Sequence, residues 1–257
     1  MNKYSIRKIN EILKLVDFDA KKNSECKFIH KINFFELVSD VYISFCYYNI
    51  RSFNPNFYKY YGIEFPDEIK NSVLKRQAEF FAGRYCVRNT FIQSGLAEKN
   101  SGYNLPIGWQ RSPTWPNGII GSITHTDNTA ISFVAPMSKY KYIGIDLEKI
   151  MSRQLAIEIQ SSILNDKEIK YLKSVSIPIN ITVTLAFSAK ESLFKALHKY
   201  TNDYFGFEIV FITKINLEKQ FINLSIQRNF ANKHKVPLEY ILSYQLNEKN
   251  VLTVILE

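Results

Sequence analysis

The chain has 257 residues, of which 46% are hydrophobic, 22% charged and 14% aromatic, a composition that supports a folded protein with a sizeable core. Only 9 Gly and 8 Pro are present, which excludes a collagen-like or low-complexity chain. The 33 Lys and Arg outweigh the 24 Asp and Glu to give a net charge of +9, which favours polyanions, acidic proteins or phosphate-bearing molecules without choosing among them.

At roughly 150 residues per domain the length predicts one large domain or two modest ones. Cys26, Cys46 and Cys86 are widely spaced and form no C-x-x-C pair, so reduced thiols are expected. Met1 to Asp17 alternates basic and apolar residues, unlike a signal peptide or membrane anchor. No run approaches the roughly 18 apolar residues of a spanning helix. A soluble, cytoplasmic protein is the expectation.

Residues 1–30 are charged and weakly patterned, and Phe28 to Ile50 reads as strand material. Asn54 to Phe65 reads as a loop rich in Tyr, Asn and Pro. From Asp67 to Ser94 apolar residues recur at three and four, which predicts a helix that stops at Gly95 and carries Arg76, Glu79, Arg84 and Arg88. Ser101 to Gly118 is crowded with Gly and Pro and predicts turns. Three strands follow, Ile119 to Thr124, Ala130 to Ala135 and Tyr140 to Glu148. Arg153 to Ser174 reads as helical with a break at Asn165-Asp166, and Ile181 to Tyr200 as one long helix. Four alternating segments then predict strands, at Phe207/Ile209/Phe211, Ile222/Leu224/Ile226, Tyr240/Leu242/Tyr244 and Val251/Thr253/Ile255. The interleaving lacks the even rhythm of a doubly wound sheet, so an α+β fold of mainly antiparallel strands is expected.

Three segments carry chemistry. In a strand over Tyr142–Glu148, period two puts Ile145 and Leu147 on one face and Gly144, Asp146 and Glu148 on the other. Two acids on one edge repel unless a cation lies between them, which fits half of a hard-metal site as well as it fits two solvated acids. In Ala186–Lys195, Glu191 and Lys195 share a helix face and Lys190 lies about 100° round from Glu191. An exposed ion pair is the bland alternative, but Phe187, Leu193, Phe194 and Leu197 make this helix core-facing, so its charges need partners. In Gly121-Ser122-Ile123-Thr124-His125 the small hydroxyl residues and the His suit an oxyanion, although a lone His after a strand is more often structural. Arg76, Arg84 and Arg88 fit either phosphate binding or a solvated face.

Together these segments resemble the 4′-phosphopantetheinyl transferases, in the branch of the enterobactin synthase component D. The resemblance is carried by Lys75-Arg76-Gln77-Ala78-Glu79 with Ala82-Gly83-Arg84, by Trp115-Pro116-Asn117-Gly118 leading into Gly121–His125, by Ile143–Ile150, and by Leu185–Ser192. These occur in the family's order and spacing across Lys75 to Lys195. The resemblance implies a monomer of two similar α+β halves related by a pseudo-twofold, 1–141 and 142–257, with coenzyme A in the cleft between them. It implies that Asp146, Glu148 and Glu191 hold Mg²⁺, that Lys190, Lys195 and His125 contact phosphates, and that Arg76 and Arg84 serve the adenosine end with its 3′-phosphate. Ser122 and Thr124 fall where the family's loop lines the cofactor. Phe187 and Phe194 stand where many relatives have Trp and Tyr. Gln110 falls where relatives of this branch often carry Lys, with Arg111 beside it to supply a cation.

The implied reaction is attack by a serine of an apo acyl or peptidyl carrier protein on the β-phosphate of coenzyme A, which expels 3′,5′-ADP. Anion repulsion is its main obstacle. Glu191 is the base, with Glu148 its competitor, and Lys195 serves the leaving side. The expected setting is nonribosomal peptide, siderophore or polyketide synthesis. A broad transferase that also serves a fatty-acid carrier is the alternative within chemistry. A basic nucleic-acid-binding protein lacks its stripe or motif here, and an inactive scaffold is opposed by the presence of all three acids.

Overall fold

A computed structural model of the chain describes residues 28–96, 104–201, 203 and 205–257. The weakly patterned segment 1–27 with Cys26, the start of the predicted turn region at 101–103, and Asn202 lie outside the described residues. Among the described residues the chain forms two compact units that meet in sequence at Lys141 and Tyr142.

The first unit is built on four antiparallel strands, β1 (Ile29–Val38), β2 (Val41–Tyr48), β3 (Ile119–His125) and β4 (Thr129–Pro136), in the order β1-β2-β4-β3. The strand-like stretch from Phe28 is thus a hairpin. It reverses at Ser39-Asp40, where Asp40 takes a left-handed φ of 64° that Asp tolerates better than most residues. The expected loop at Asn54–Phe65 contains a short helix, α1 (Asn56–Tyr61), ended by left-handed Gly62. The helix expected from Asp67 is broken into α2 (Asp67–Lys70) and α3 (Leu74–Ser94), and α3 stops where Gly95 takes a φ of 68° and donates to the Phe91 carbonyl.

Helix α3 lies across one face of the sheet. The Cys86 thiol meets the Ser44 and Ala130 carbonyls, and the Thr90 hydroxyl bonds to those of Ser44 at 2.8 Å and Ser132. Phe81 anchors the apolar contact, with Phe28, Phe53, Phe57, Tyr58 and Tyr61 around it. Burying such a ring stabilises by roughly 1.5–3 kcal/mol. Cys46 and Cys86 are free and buried here, and burial pushes both thiols up, that of Cys86 to about 12.

The second unit is a five-stranded antiparallel sheet of β5 (Ile143–Lys149), β6 (Val210–Asn216), β7 (Phe221–Ile226), β8 (Glu239–Leu246) and β9 (Asn250–Leu256), in the order β5-β9-β8-β7-β6. The break expected at Asn165-Asp166 separates α4 (Arg153–Ile163) from α5 (Asp166–Lys173). Its cause is a capping box, in which the Asn165 side chain accepts from the Glu168 amide and the Glu168 carboxylate accepts from the Asn165 amide. The long helix α6 (Ile179–Thr201) follows. A short helix, α7 (Arg228–His234), lies between β7 and β8 where no element was expected. β6 starts later than its alternation suggests, because Phe207–Ile209 forms a 3₁₀ turn. Both sheets are wholly antiparallel, as the α+β expectation required. No described helix is long and apolar enough to cross a membrane.

Helix α6 packs on β5 and β9, and one residue sets how closely. A Cβ added at Gly144 would run into the backbone carbonyl of Ser192. Gly144 therefore lets the helix backbone rest directly on the strand. Gly144→Ala is expected to lower the stability of the chain by about 1–3 kcal/mol, the usual cost of overpacking against a backbone that cannot yield. Urea unfolding would check this, and a wild-type midpoint in the variant would contradict it.

Candidate active site

Strand β5 carries Gly144, Asp146 and Glu148 on the face that meets α6. Period two puts the acids under the helix, while Ile145 and Leu147 fill the opposite face. Both faces are buried here, so Asp146 is enclosed as fully as its apolar neighbours.

Small hydroxyl residues make the seam. Ser188 and Ser192, one helical turn apart, meet the Thr253 hydroxyl on β9 at 2.9 and 2.7 Å. The Thr253 hydroxyl donates to the Ser188 carbonyl at 2.8 Å, and the Ser192 hydroxyl donates to the Thr253 carbonyl at 3.0 Å. Thr253 pairs directly with Asp146 across the β5–β9 ladder. One turn further along α6, the Lys195 ammonium donates to Asp146 Oδ1 at 2.7 Å and to the Ile145 carbonyl at 3.1 Å. Sequence patterning missed Thr253 and the paired serines, although their spacing of four was visible.

Glu148 and Glu191 complete the group. Burial is the main reason that the Glu148 carboxyl is pushed up to about 7, with Asp146 and Glu191 adding to the rise and Lys195 opposing it. Burial likewise raises the Glu191 carboxyl, with Lys195 opposing and Asp146 adding. The structure thus brings Asp146, Glu148, Glu191 and Lys195 into one electrostatic cluster of three carboxylates and one ammonium. Among the described residues, no three His, Cys, Asp or Glu side chains are gathered tightly enough to hold a metal ion as they stand. Donor chemistry and charge nevertheless fit a hard dication: three carboxyl groups, two of them held back from ionising by burial and by Asp146.

Lys190, of which a phosphate contact was expected, does not join this cluster. Its side chain is 0% exposed, and its ammonium donates to the Ile163 carbonyl at 2.7 Å and to Glu168 at 3.1 Å. Burial pulls its pKa down and Glu168 pulls it back up. The expectation that charges in this helix need partners holds, and the partner is a residue that sequence reading passed over. Its Asn-x-x-Glu capping pattern was the available signal.

The first unit gathers a second set. Arg76 Nη1 lies 3.0 Å from His125 Nε2. The arginine N–H can only donate, and the other ring nitrogen, Nδ1, lies 3.9 Å from Glu79. Lys75 pairs with Asp127 at 2.6 Å, and Glu79 stands 3.9 Å from both Lys75 and Arg76. Arg84 lies over the Phe80 ring, 4.4 Å from its centroid, and its Nε is enclosed without a hydrogen-bond partner among the described residues. Burial, and then the Arg76 charge, pull Arg84 down to about 10.

Three more of the expected residues lie elsewhere in this unit. Ser122 and Thr124 are buried on one face of β3, whereas His125 belongs to the face on which Gly83 of α3 meets Ile123. Strand alternation therefore separates these hydroxyls from His125. Arg111 stands exposed on the Trp109–Arg111 turn, where it and Gln110 both take left-handed backbone angles, with φ of 62° and 50°. It makes none of the contacts of the Arg76 cluster.

Two family models match the chain. Residues 65–135, which include Arg76, Arg84 and His125, match the 4′-phosphopantetheinyl transferase N-terminal domain, and residues 142–252, which include all three acids and Lys195, match the 4′-phosphopantetheinyl transferase superfamily. Enterobactin synthase component D of Escherichia coli (strain K12) is 32% identical over 189 residues, which cover 73% of this chain and 80% of that protein. The chain belongs to the 4′-phosphopantetheinyl transferase superfamily. Within the superfamily it falls in the enterobactin synthase component D branch, since the protein of that name from Salmonella typhi is 35% identical over 150 residues. That match spans 58% of this chain and 60% of the relative, and the Salmonella typhimurium protein is spanned over 52% of its length. The 4′-phosphopantetheinyl transferase Npt of Nocardia iowensis is 30% identical over 161 residues, 59% of this chain and 69% of that protein.

The raised carboxyls have a consequence for stability. A carboxyl whose pKa is higher folded than unfolded makes the folded state bind more protons between the two values. For Glu148 the window runs from the ordinary 4.5 to about 7, and stability falls as pH rises through it. Chemical denaturation of the metal-free chain between about pH 5 and about pH 7.5 is expected to show that decline, and Glu148→Gln is expected to flatten it. A decline of equal slope in the variant would assign the titration elsewhere.

Proposed function

We propose that this chain transfers the 4′-phosphopantetheine group of coenzyme A to a serine of apo acyl or peptidyl carrier proteins and releases 3′,5′-ADP. The setting is nonribosomal peptide synthesis of the siderophore kind or polyketide synthesis, in the cytoplasm, with the protein acting as a monomer. The observation that carries the reading is the cluster of Asp146, Glu148 and Glu191 around Lys195, within the segment that the superfamily model matches.

The chemistry follows from charge. The serine oxygen forms a bond to the β-phosphorus of coenzyme A as the bond from that phosphorus to the bridging oxygen breaks, and the electron pair leaves with 3′,5′-ADP. Every participant except the serine is anionic, so cationic groups supply the stabilisation. Asp146, Glu148 and Glu191 would hold Mg²⁺, which when bound offsets the pyrophosphate charge. Lys195, steered by Asp146, places its ammonium on the leaving side. Glu191 accepts the serine proton, directly or through a water. Glu148, with its carboxyl near 7, is the alternative acceptor because its affinity for a proton matches the working pH. In the first unit Arg76, Arg84 and His125 bind phosphate groups of coenzyme A. Support comes from the close guanidiniums and the enclosed Arg84 Nε, an arrangement that an oxyanion would relieve. The basic surface charge suits carrier proteins that are acidic around the modified serine.

Incubation with coenzyme A, Mg²⁺ and a panel of apo carrier proteins is expected to add phosphopantetheine to at least one carrier, read by mass spectrometry. Asp146→Ala is expected to lower the rate at least about a hundredfold. Transfer to no carrier, or full activity in the variant, would sink the reading. Because a metal ligand must be deprotonated, the apparent Mg²⁺ affinity is expected to strengthen as pH rises through about 7. A pH-independent affinity would remove Glu148 from the ligand set.

A further inference from the structure

Lys190 adjoins Glu191 in the chain but points to the other side of α6. At about 100° per residue it lies roughly 140–160° round the helix from Ser188, Ser192 and Lys195, the residues that fasten α6 to β5 and β9, whereas Glu191 is only about 40° from Lys195. On that far side its ammonium has three acceptors for its three protons: the Ile163 carbonyl at 2.7 Å, Glu168, and the Phe207 carbonyl at 3.4 Å. No N–H is left over for a phosphate.

Glu168 is equally committed. Oε2 accepts from the Asn165 amide at 2.9 Å and from Lys190 at 3.1 Å, while Oε1 accepts from the Ile212 amide at 2.8 Å and stands 3.0 Å from the Lys190 ammonium. The pair therefore joins five places to one another: the end of α4, the start of α5, the turn before β6, β6 itself and α6. Contacts on two sides of a helix restrain its roll better than contacts along one, and this pair adds a polar clamp to the packing of α4 on the side of α6 away from the sheet contacts. A roll of about 20° at about 5 Å from the axis moves a carboxylate by about 2 Å. Misplacement of about 1 Å already costs a large part of a catalytic rate.

We propose that Lys190 and Glu168 form a positioning pair that fixes the rotation of α6, and with it the placement of Glu191 and Lys195 against the β5 acids, without touching coenzyme A. This role rests on the transferase activity proposed above, and the test separates the two.

Wild type, Lys190→Met and Glu168→Gln are compared in the transfer assay at a temperature where circular dichroism shows each to be folded, with kcat and the KM for coenzyme A both measured. Each variant is expected to lose at least about tenfold in kcat while KM for coenzyme A stays within about twofold of wild type. A phosphate contact predicts the other pattern, a KM raised at least about tenfold in Lys190→Met and little change in Glu168→Gln. That result, or unchanged kcat in both folded variants, would overturn the proposal. Should Lys190→Met fail to fold, Glu168→Gln carries the same comparison alone. A wild type that transfers to no carrier defeats the functional reading itself and this role with it, whereas an active wild type with unaffected variants defeats only the positioning role.

Discussion

The Ser192 carbonyl occupies the space where any residue other than glycine at position 144 would place its side chain, and the chemistry of the second unit depends on that contact. With the α6 backbone resting on β5, hydroxyls as short as those of Ser188, Ser192 and Thr253 suffice to bridge helix and sheet. The same closeness lets Lys195 reach Asp146 while part of its side chain stays exposed. Larger residues at the seam would lift the helix and separate the lysine from its acid. The apolar core around Leu193, Ala189 and Ile255 supplies the driving force, and the seam sets the distance.

Two lysines of one motif meet opposite electrostatic conditions. Lys190 and Glu168 form a balanced ion pair in which every partner is protein, the arrangement that makes a buried charge tolerable. Lys195 instead faces Asp146, Glu148 and Glu191, and burial first, with neighbouring carboxylates adding, makes the two glutamates hold protons longer than ordinary ones do. In the first unit Lys75 and Arg76 face Glu79 and Asp127, and burial, then the Arg76 charge, pull Arg84 down.

Much of this was legible in the chain. Gly95, the Asn165-Asp166 break and the alternation of Gly144, Asp146 and Glu148 each rest on local rules, and each was readable because no distant contact was needed to decide it. Asp40 and Gly62 show the limit: turn chemistry divides the stretch read as strand material into a hairpin and ends a short helix inside an expected loop. At the site the motif indicated which residues carry charge but not where each side chain points. Lys190 and Glu191 are neighbours in sequence and face different sides of α6, and the helical phase that separates them takes on meaning only once the position of the sheet is known. Ser122 and Thr124 show the same thing, since alternation along β3 places them on the face away from His125. The capping pattern marks Glu168, but its pairing with Lys190 was hidden because that partner lies 22 residues on.

The Lys190–Glu168 pair also bears on how this lineage can change. Loss of either member alone leaves a desolvated charge facing the other, whereas loss of both together exchanges an ion pair for a neutral contact of similar volume. Positions 168 and 190 therefore behave as one inherited character, and drift across the surrounding surface is free in a way that drift at these two positions is not. A homologue that has replaced one of them is expected to carry a compensating change at the other, because the Ile163 and Phe207 acceptors are backbone carbonyls that no substitution alters.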